Sequence, residues 1–381
     1  MIDVLMLTRS DWANTGYRFS RCLEMLGLRV LFLKGNYHVF GYPKQGHIDS
    51  RLNFMDNKYP VKVSMPSFEG LAQNSRVIHF IASTFVNTGI NLNEKFVVVQ
   101  HGGSTYRIEP TRANDVFNNF SDASIIQCPD LLNLGAKNEH LIYYPVDTDN
   151  LQPVYKLQGL DEKIRIGHFP SDPFNKGTKT ILEVIKKLKN DPLVGDKFEY
   201  VGVKTHSGET HRVSWKQNLE RMASADVIIE THKPLLDLGG RGEKRFGEWG
   251  NTAIEAASLG KSVITNSLST EYYKKEYGEC ALHIANDVEA LEAQLRKLIN
   301  MTADELLEDK KKTREWVVKK HSMKATALRL WEKIYSQYFP DKWADEAPNM
   351  DNLHTEAPSW CELEFDDAQT LKNINIRKEK A

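Results

Sequence analysis

The stretch Phe246 to Thr265, FGEWGNTAIEAASLGKSVIT, constrains this chain more than any other. It reads as a glycine-rich loop, a helix and a buried strand. Gly247 and Gly250 permit backbone conformations that side chains disfavour, Asn251 or Thr252 can cap a helix, and Ala253, Ile254, Ala256, Ala257 and Leu259 supply its close-packing face. Gly260 ends the helix, and Lys261 to Thr265 starts the strand. A helix beginning directly after such a loop turns unpaired N–H groups and a partial positive charge toward whatever lies in front of it. That is an anion site, most simply a phosphate site. Glu255 stands out, a carboxylate one turn in from the loop and surrounded by alanines. It can accept hydrogen bonds from sugar hydroxyls. Glutamate also favours helix starts and glycines make turns, so the local chemistry alone leaves both readings open.

The same alternation of strand and helix runs through the chain. Residues 2–7 read as a buried strand, Tyr17 to Leu26 as an amphipathic helix closed by Gly27, and Arg29 to Leu33 as the next strand, a βαβ unit. Further strands are expected at Val77 to Ile81, Phe96 to Val99, Ser124 to Gln127 and Leu141 to Tyr144. A second alternation restarts at Ile164 to Phe169, with a helix over Thr178 to Lys189 and strands at Phe198 to Val203 and Asp226 to Glu230. Helices follow at Val288 to Asn300, Ala303 to Lys320 and Lys324 to Phe339. A chain of 381 residues can bury two such cores. The expected organisation is a Rossmann-like domain over 1–150, a second over 160–324, and an acidic tail over 341–381, joined by a linker from Pro145 to Glu162.

Hydrophobic content of 41% with 27% charged residues is that of an ordinary globular protein. The net charge of −1 gives no global reason to expect nucleic acid or an anionic membrane. Charges balance over residues 1–150, while 151–340 carries a surplus of +4 and 341–381 one of −5, so the positive excess lies with the phosphate site. Cys22, Cys128, Cys280 and Cys361 are scattered, with neither zinc spacing nor a disulfide framework. No apolar run approaches a membrane span, and the N-terminus reads as a strand rather than a signal peptide. The expected location is cytoplasmic, with peripheral membrane contact left open.

Loops at the carboxyl ends of parallel strands bind ligands in such sheets. Three loops qualify. Asn14, Thr15 and Gly16 open the first helix. His101 ends a strand and is followed by Gly102 and Gly103, which presents an imidazole where backbone can approach closely, with Tyr106 and Arg107 beyond it. Lys176 stands beside Gly177 at a helix start. Asp147-Thr148-Asp149 invites a metal reading, but two carboxylates in a turn after Pro145 are too few ligands. His206, His211 and His232 lack metal spacing, and no metal is expected.

The run Gly-x-x-x-x-Glu-Ala-x-x-x-Gly-Lys-x-Val-Ile, Gly250 to Ile264, resembles the donor-site motif of retaining GT-B glycosyltransferases of the family-4 type, the glycosyl transferases of group 1. The resemblance is strongest over residues 164–335. It implies an α/β GT-B fold, two facing Rossmann-like domains with an interdomain cleft, the first completed by C-terminal residues from about 325. It implies that Glu255 holds the nucleotide ribose and that Lys176 with the backbone at Gly250, Asn251 and Thr252 carries the donor diphosphate. It further implies that His101, with Gly102, faces the donor sugar, and that Asn14, Thr15 and Gly16 border phosphate or sugar. Two positions depart from the family. Where it usually has a second glutamate, eight positions before Glu255, this chain has Gly247, so either the loop is shifted by one residue and Glu248 alongside makes the catalytic contact to the sugar, or that contact is made differently. Where it has an arginine, six positions before Lys176, this chain has Pro170, so the missing cation is sought in Arg241, Lys244 or Arg245 of the loop expected over Asp237 to Arg245, which would have to fold over the phosphates, with Arg245 the candidate for the diphosphate.

The implied reaction is metal-independent transfer of a sugar, most simply a hexose, from a nucleotide-diphosphate sugar to an acceptor hydroxyl, with retention and without a cofactor. The acceptor is a glycan, a lipid or a small molecule, and nucleic acid is not expected as a partner. Two other readings stay open. One is a related GT-B enzyme, either a nucleotide-sugar epimerase or a glycosyltransferase of nucleic-acid bases, the latter wanting a basic first domain. The other is a catalytically inactive scaffold of the same fold. A nicotinamide dehydrogenase is disfavoured because no Gly-x-Gly-x-x-Gly follows the first strand.

Overall fold

A computed structural model describes residues 2–49, 51–52, 68–155, 163–205, 213–232, 235–237, 243–245 and 248–355. The chain divides into two compact units. One takes Met1–Gln127, Leu131–Pro145 and Met323–Ala381, the other Cys128–Asp130 and Val146–Ser322.

The first unit is built on seven strands, β1 (Ile2–Thr8), β2 (Val30–Lys34), β3 (His47–Ile48), β4 (Ser75–Phe80), β5 (Phe96–His101), β6 (Ala123–Ile126) and β7 (Glu139–Leu141), in the order β3-β2-β1-β4-β5-β6-β7. All pairings are parallel. Helices α1 (Thr15–Met25), α2 (Glu69–Gln73), α3 (Gly103–Ile108) and α4 (Pro110–Phe117) connect them. Strands such as IDVLMLT are apolar on both faces because both faces are covered. Val4, Met6, Val77 and Val98 face Phe19 and Leu23 of α1, while Leu5, Leu7, Ile78 and Phe80 face Leu71 and Phe117.

The second unit carries β8 (Ile164–Gly167), β9 (Phe198–Tyr200), β10 (Val227–Ile229), β13 (Ser262–Thr265) and β14 (His283–Ile284) in the parallel order β14-β13-β10-β8-β9. A separate antiparallel pair, β11 (Leu235–Asp237) and β12 (Glu243–Arg245), lies between β10 and β13 in sequence. Its helices are α5 (Thr178–Lys189), α6 (Trp215–Ala223), α7 (Asn251–Ser258), α8 (Thr270–Tyr277), α9 (Val288–Ile299) and α10 (Ala303–His321). Ile166, Val227, Ile229 and Ile264 of the sheet pack on Ile181, Val184 and Leu188 of α5 and on Leu291 and Leu295 of α9. A buried ion pair joins α10 to the sheet: Lys310 Nζ lies 2.6 Å from Asp226 Oδ1, each side chain 2% exposed. The other oxygen of Asp226 accepts the Arg165 N–H.

After His321 the chain returns to the first unit as α11 (Met323–Lys333), whose Ala327 and Leu330 join the α1 core. Ile334 and Tyr335 follow, and Tyr335 Oη lies 2.8 Å from His79 Nδ1 on β4. No helix among the described residues is long and apolar enough to cross a membrane.

Each sheet has a point where the strand order reverses, between β1 and β4 in the first and between β8 and β10 in the second. There the loops leaving two adjacent strands diverge to opposite faces and open a crevice at the carboxyl edge.

Several expectations need correction. Asp237 to Arg245 is not one loop, since the residues at each end of it pair as β11 and β12. The segment after His101 is helical, started by Gly103 at φ +68° and restarted by Pro110 at the first turn of α4, where its missing N–H costs nothing. The last helix ends at Lys333 rather than Phe339, with a 3₁₀ turn at Tyr335–Gln337. The strand expected at Leu141 to Tyr144 lies at Glu139–Leu141. Neither Asn251 nor Thr252 caps α7: Gly250 holds that position, and both residues lie inside the first turn.

Candidate functional site

The crevice of the second sheet collects the groups that the sequence singles out around α7. His168, directly after β8, is fully buried. Its Nδ1 lies 2.7 Å from the Ile229 carbonyl of β10 and its Nε2 2.8 Å from Thr178 Oγ1 at the start of α5. Burial lowers its pKa to about 4, so it is a neutral brace between strand and helix. The loop that follows delivers Lys176, and Gly177 takes φ +68° to turn directly into α5. The Lys176 carbonyl accepts the His232 N–H, which fixes the loop against the end of β10.

Lys176 Nζ donates to Glu230 Oε1, and Glu230 Oε2 accepts from Thr265 Oγ1 at 2.9 Å. The lysine side chain is 16% exposed and the glutamate 0%. Both groups stand at the start of α7: a Cβ on Gly250 would lie 3.6 Å from Glu230 Oε1 and 3.7 Å from Lys176 Nζ. Gly250 has φ −114° and ψ −164°, which any residue adopts, and those distances are ordinary contact. Neither conformation nor the first side-chain atom demands glycine there. What its absence of a side chain does is leave room beside the Lys176 ammonium. The N-cap residue, Gly250, has no side chain with which to cap α7, and the amides of the first turn, Asn251 and Thr252 among them, point toward the same place.

One turn in, Glu255 is buried and its Oε1 accepts the indole N–H of Trp215 at 3.0 Å. Trp215 is set by a capping box in which Ser214 and Gln217 satisfy each other at the start of α6. Glu248 lies apart from this arrangement. Its carboxylate accepts Ser267 Oγ at 2.8 Å and the Ser269 N–H at 2.9 Å, the turn between β13 and α8. Burial raises its pKa to about 7. Arg245 belongs to β12. Gly247 and Arg241 lie outside the described residues, as do His206 and His211. Pro170 lies in the loop after β8.

In the first unit, His101 closes β5 with no exposed surface. Its Nδ1 lies 2.9 Å from Ser83 Oγ and its ring stacks on Tyr106 at 4.2 Å. Its Nε2 has no hydrogen-bond partner among the described residues. Burial lowers the pKa to about 4, so the ring is neutral near pH 7 and acts as a hydrogen-bonding group rather than a proton reservoir. A Cβ on Gly102 would displace the side-chain amide of Gln127, which packs against the glycine here. Ala13 and Asn14 after β1, and Ala82 and Ser83 after β4, all have positive φ, so four strained non-glycine residues flank the crevice of this sheet.

The start of α1 is already occupied from within. Asp11 accepts the N–H groups of Gly16 and Tyr17 at 2.6 and 3.1 Å. Burial raises its pKa to about 6 despite those bonds. Asn14 donates to the Lys44 carbonyl, and Thr15 Oγ1 to that of Trp12.

The structure thus gathers Lys176, Gly250, Asn251, Thr252 and Glu255 in one crevice, and leaves Glu248 turned to the α8 turn. Sequence reading misses Glu230, Trp215, Ser83 and Asp11. Glu230 had a signal: a carboxylate directly after the buried run VII, at a strand end. Among the described residues no group of three or more His, Cys, Asp or Glu could hold a metal.

No family model matches the chain, and no curated protein matches it in sequence. Its fold does match solved structures. HepE from Anabaena, in complex with UDP-glucose, aligns with a TM-score of 0.56 at 14% identity over 88% of this chain and 100% of its own. The sucrose-phosphate synthase of Thermosynechococcus elongatus aligns at 0.55 and 15% identity over 90% and 100%. A glycosyltransferase from Rickettsia africae aligns at 0.55 and 12% identity over 88% and 98%. With its two parallel sheets and flanking helices, the chain has the α/β fold of the GT-B glycosyltransferases.

Proposed function

We propose that this chain is a retaining glycosyltransferase that moves a sugar from a nucleotide-diphosphate sugar to an acceptor hydroxyl, without a metal ion or a cofactor. The observation that carries the reading is the placement of the Lys176 ammonium against the start of α7, with Glu255 one turn in. A cation beside the amides of a helix's first turn suits a diphosphate. A carboxylate about one helical turn away suits the vicinal hydroxyls of a ribose. The likeness in fold to a protein solved with UDP-glucose supports a UDP-sugar as the donor to try first.

In this reading the bond between the anomeric carbon and the diphosphate oxygen breaks while one to the acceptor oxygen forms on the same face. The acceptor's proton passes to the departing phosphate. The protein's work is electrostatic: Lys176 and the α7 amides stabilise the charge that builds on the leaving diphosphate. The acceptor is a glycan, lipid or small molecule, and peripheral contact with a membrane belongs to the same proposal.

Release of free nucleoside diphosphate from UDP-glucose, GDP-mannose and ADP-glucose, with water or a mixed acceptor pool, tests the reading. One donor is expected to turn over, and Glu255→Ala is expected to lose about 100-fold in kcat/KM, the order set by a lost charge-assisted hydrogen-bond pair. A folded parent that turns over none of them favours the inactive scaffold.

A further inference from the structure

Glu230 has no role in the diphosphate site as built above, yet it is the most deeply buried charge there. It lies behind Lys176, with its own side chain wholly covered and the lysine partly open. Its carboxylate is held on both oxygens, by the Lys176 ammonium and by the Thr265 hydroxyl. It stands as close to the Gly250 Cβ position as Lys176 does, 3.6 against 3.7 Å. A diphosphate entering over Gly250 therefore meets a cation and an anion at similar range, where burial keeps screening weak.

We propose that Glu230 is a positioning residue and counter-charge that sets the affinity of this site for the leaving diphosphate. In the empty site it neutralises Lys176 and holds the ammonium at the α7 start. In the occupied site it opposes the ligand's negative charge, so the nucleoside diphosphate product is held less tightly than the lysine and helix alone would hold it. The proposal rests on the donor-site reading above.

The test is calorimetric binding of UDP, GDP, ADP and CDP to the parent, followed by the tightest of them on variants. Glu230→Gln keeps an oxygen for Lys176, and its amide can donate to Thr265 Oγ1, so only the charge is removed. It is expected to bind the diphosphate about tenfold tighter, the effect of one unit charge removed at short range under partial screening. Binding of the matching free nucleoside is expected to stay unchanged. Lys176→Met is expected to lose about 100-fold, and Lys176→Met/Glu230→Gln to regain about tenfold of that loss, a rescue that a purely structural glutamate would not give. The double variant also removes both charges of the buried pair, so no unpaired buried charge opposes its folding. Equal or weaker binding by Glu230→Gln, or no rescue in the double variant, overturns the proposal and leaves the donor site standing. No binding of any of the four to the parent overturns the donor-site reading itself.

Discussion

Glu248 shows what the environment of one residue can decide. The motif alone makes it the stand-in for a missing sugar contact, but its two oxygens serve Ser267 and Ser269 instead. Because burial raises its folded pKa from 4.5 to about 7, the native state binds more protons than the unfolded state between those values. Its contribution to stability is therefore full below pH 4.5 and is lost as pH rises through 7. Glu248→Gln keeps the Ser269 N–H bond and removes the buried charge. It is expected to gain about 2 kcal/mol over the parent at pH 8 and nothing at pH 4, read by denaturant unfolding at both pH values. At this scale the sequence was legible wherever a residue's role follows from its own chain neighbours. Gly177 at the start of α5 and Gly260 at the end of α7, both at positive φ, are such cases. It was not legible where the partner is remote: Ser83 meets His101 across 18 residues, Trp215 meets Glu255 across 40, and Lys176 meets Glu230 across 54.

Among elements, the long amphipathic helices were readable to within a residue or two, α5 and α10 among them, because their apolar stripes repeat over several turns. Strands of two or three residues, such as β3 and β14, are too short to carry a period. Helix α8 is mostly polar and hides its signal in Tyr273 and Tyr277, one turn apart and stacked at 5.0 Å. What anchors an element is equally uneven. Lys310 on α10 and Asp226 before β10 form a pair with almost no exposure, whereas Arg112 and Glu109 in the α4 region are 59% and 41% exposed. Removing one member of a buried pair strands the other's charge, while an exposed pair loses little. Lys310→Met is expected to cost about 3–5 kcal/mol in denaturant unfolding, and Arg112→Ala less than about 0.5 kcal/mol.

For the whole molecule, the alternation of strands and helices carries the fold class, and the two sheets with their reversal points follow from it. The antiparallel pairing of β11 and β12 lay beyond it, since Asp237 to Arg245 has no apolar period of its own. The central claim is that the crevice between β8 and β10 is a nucleotide-sugar donor site. Thermal unfolding of the parent and of Glu255→Ala against UDP-, GDP-, ADP- and CMP-sugars tests it most directly. The account predicts that one nucleotide sugar raises the parent's Tm, by about 4 °C or more at saturating ligand, and leaves the variant unmoved. A folded parent whose Tm shifts with none of them, or a variant that shifts as much as the parent, would contradict it.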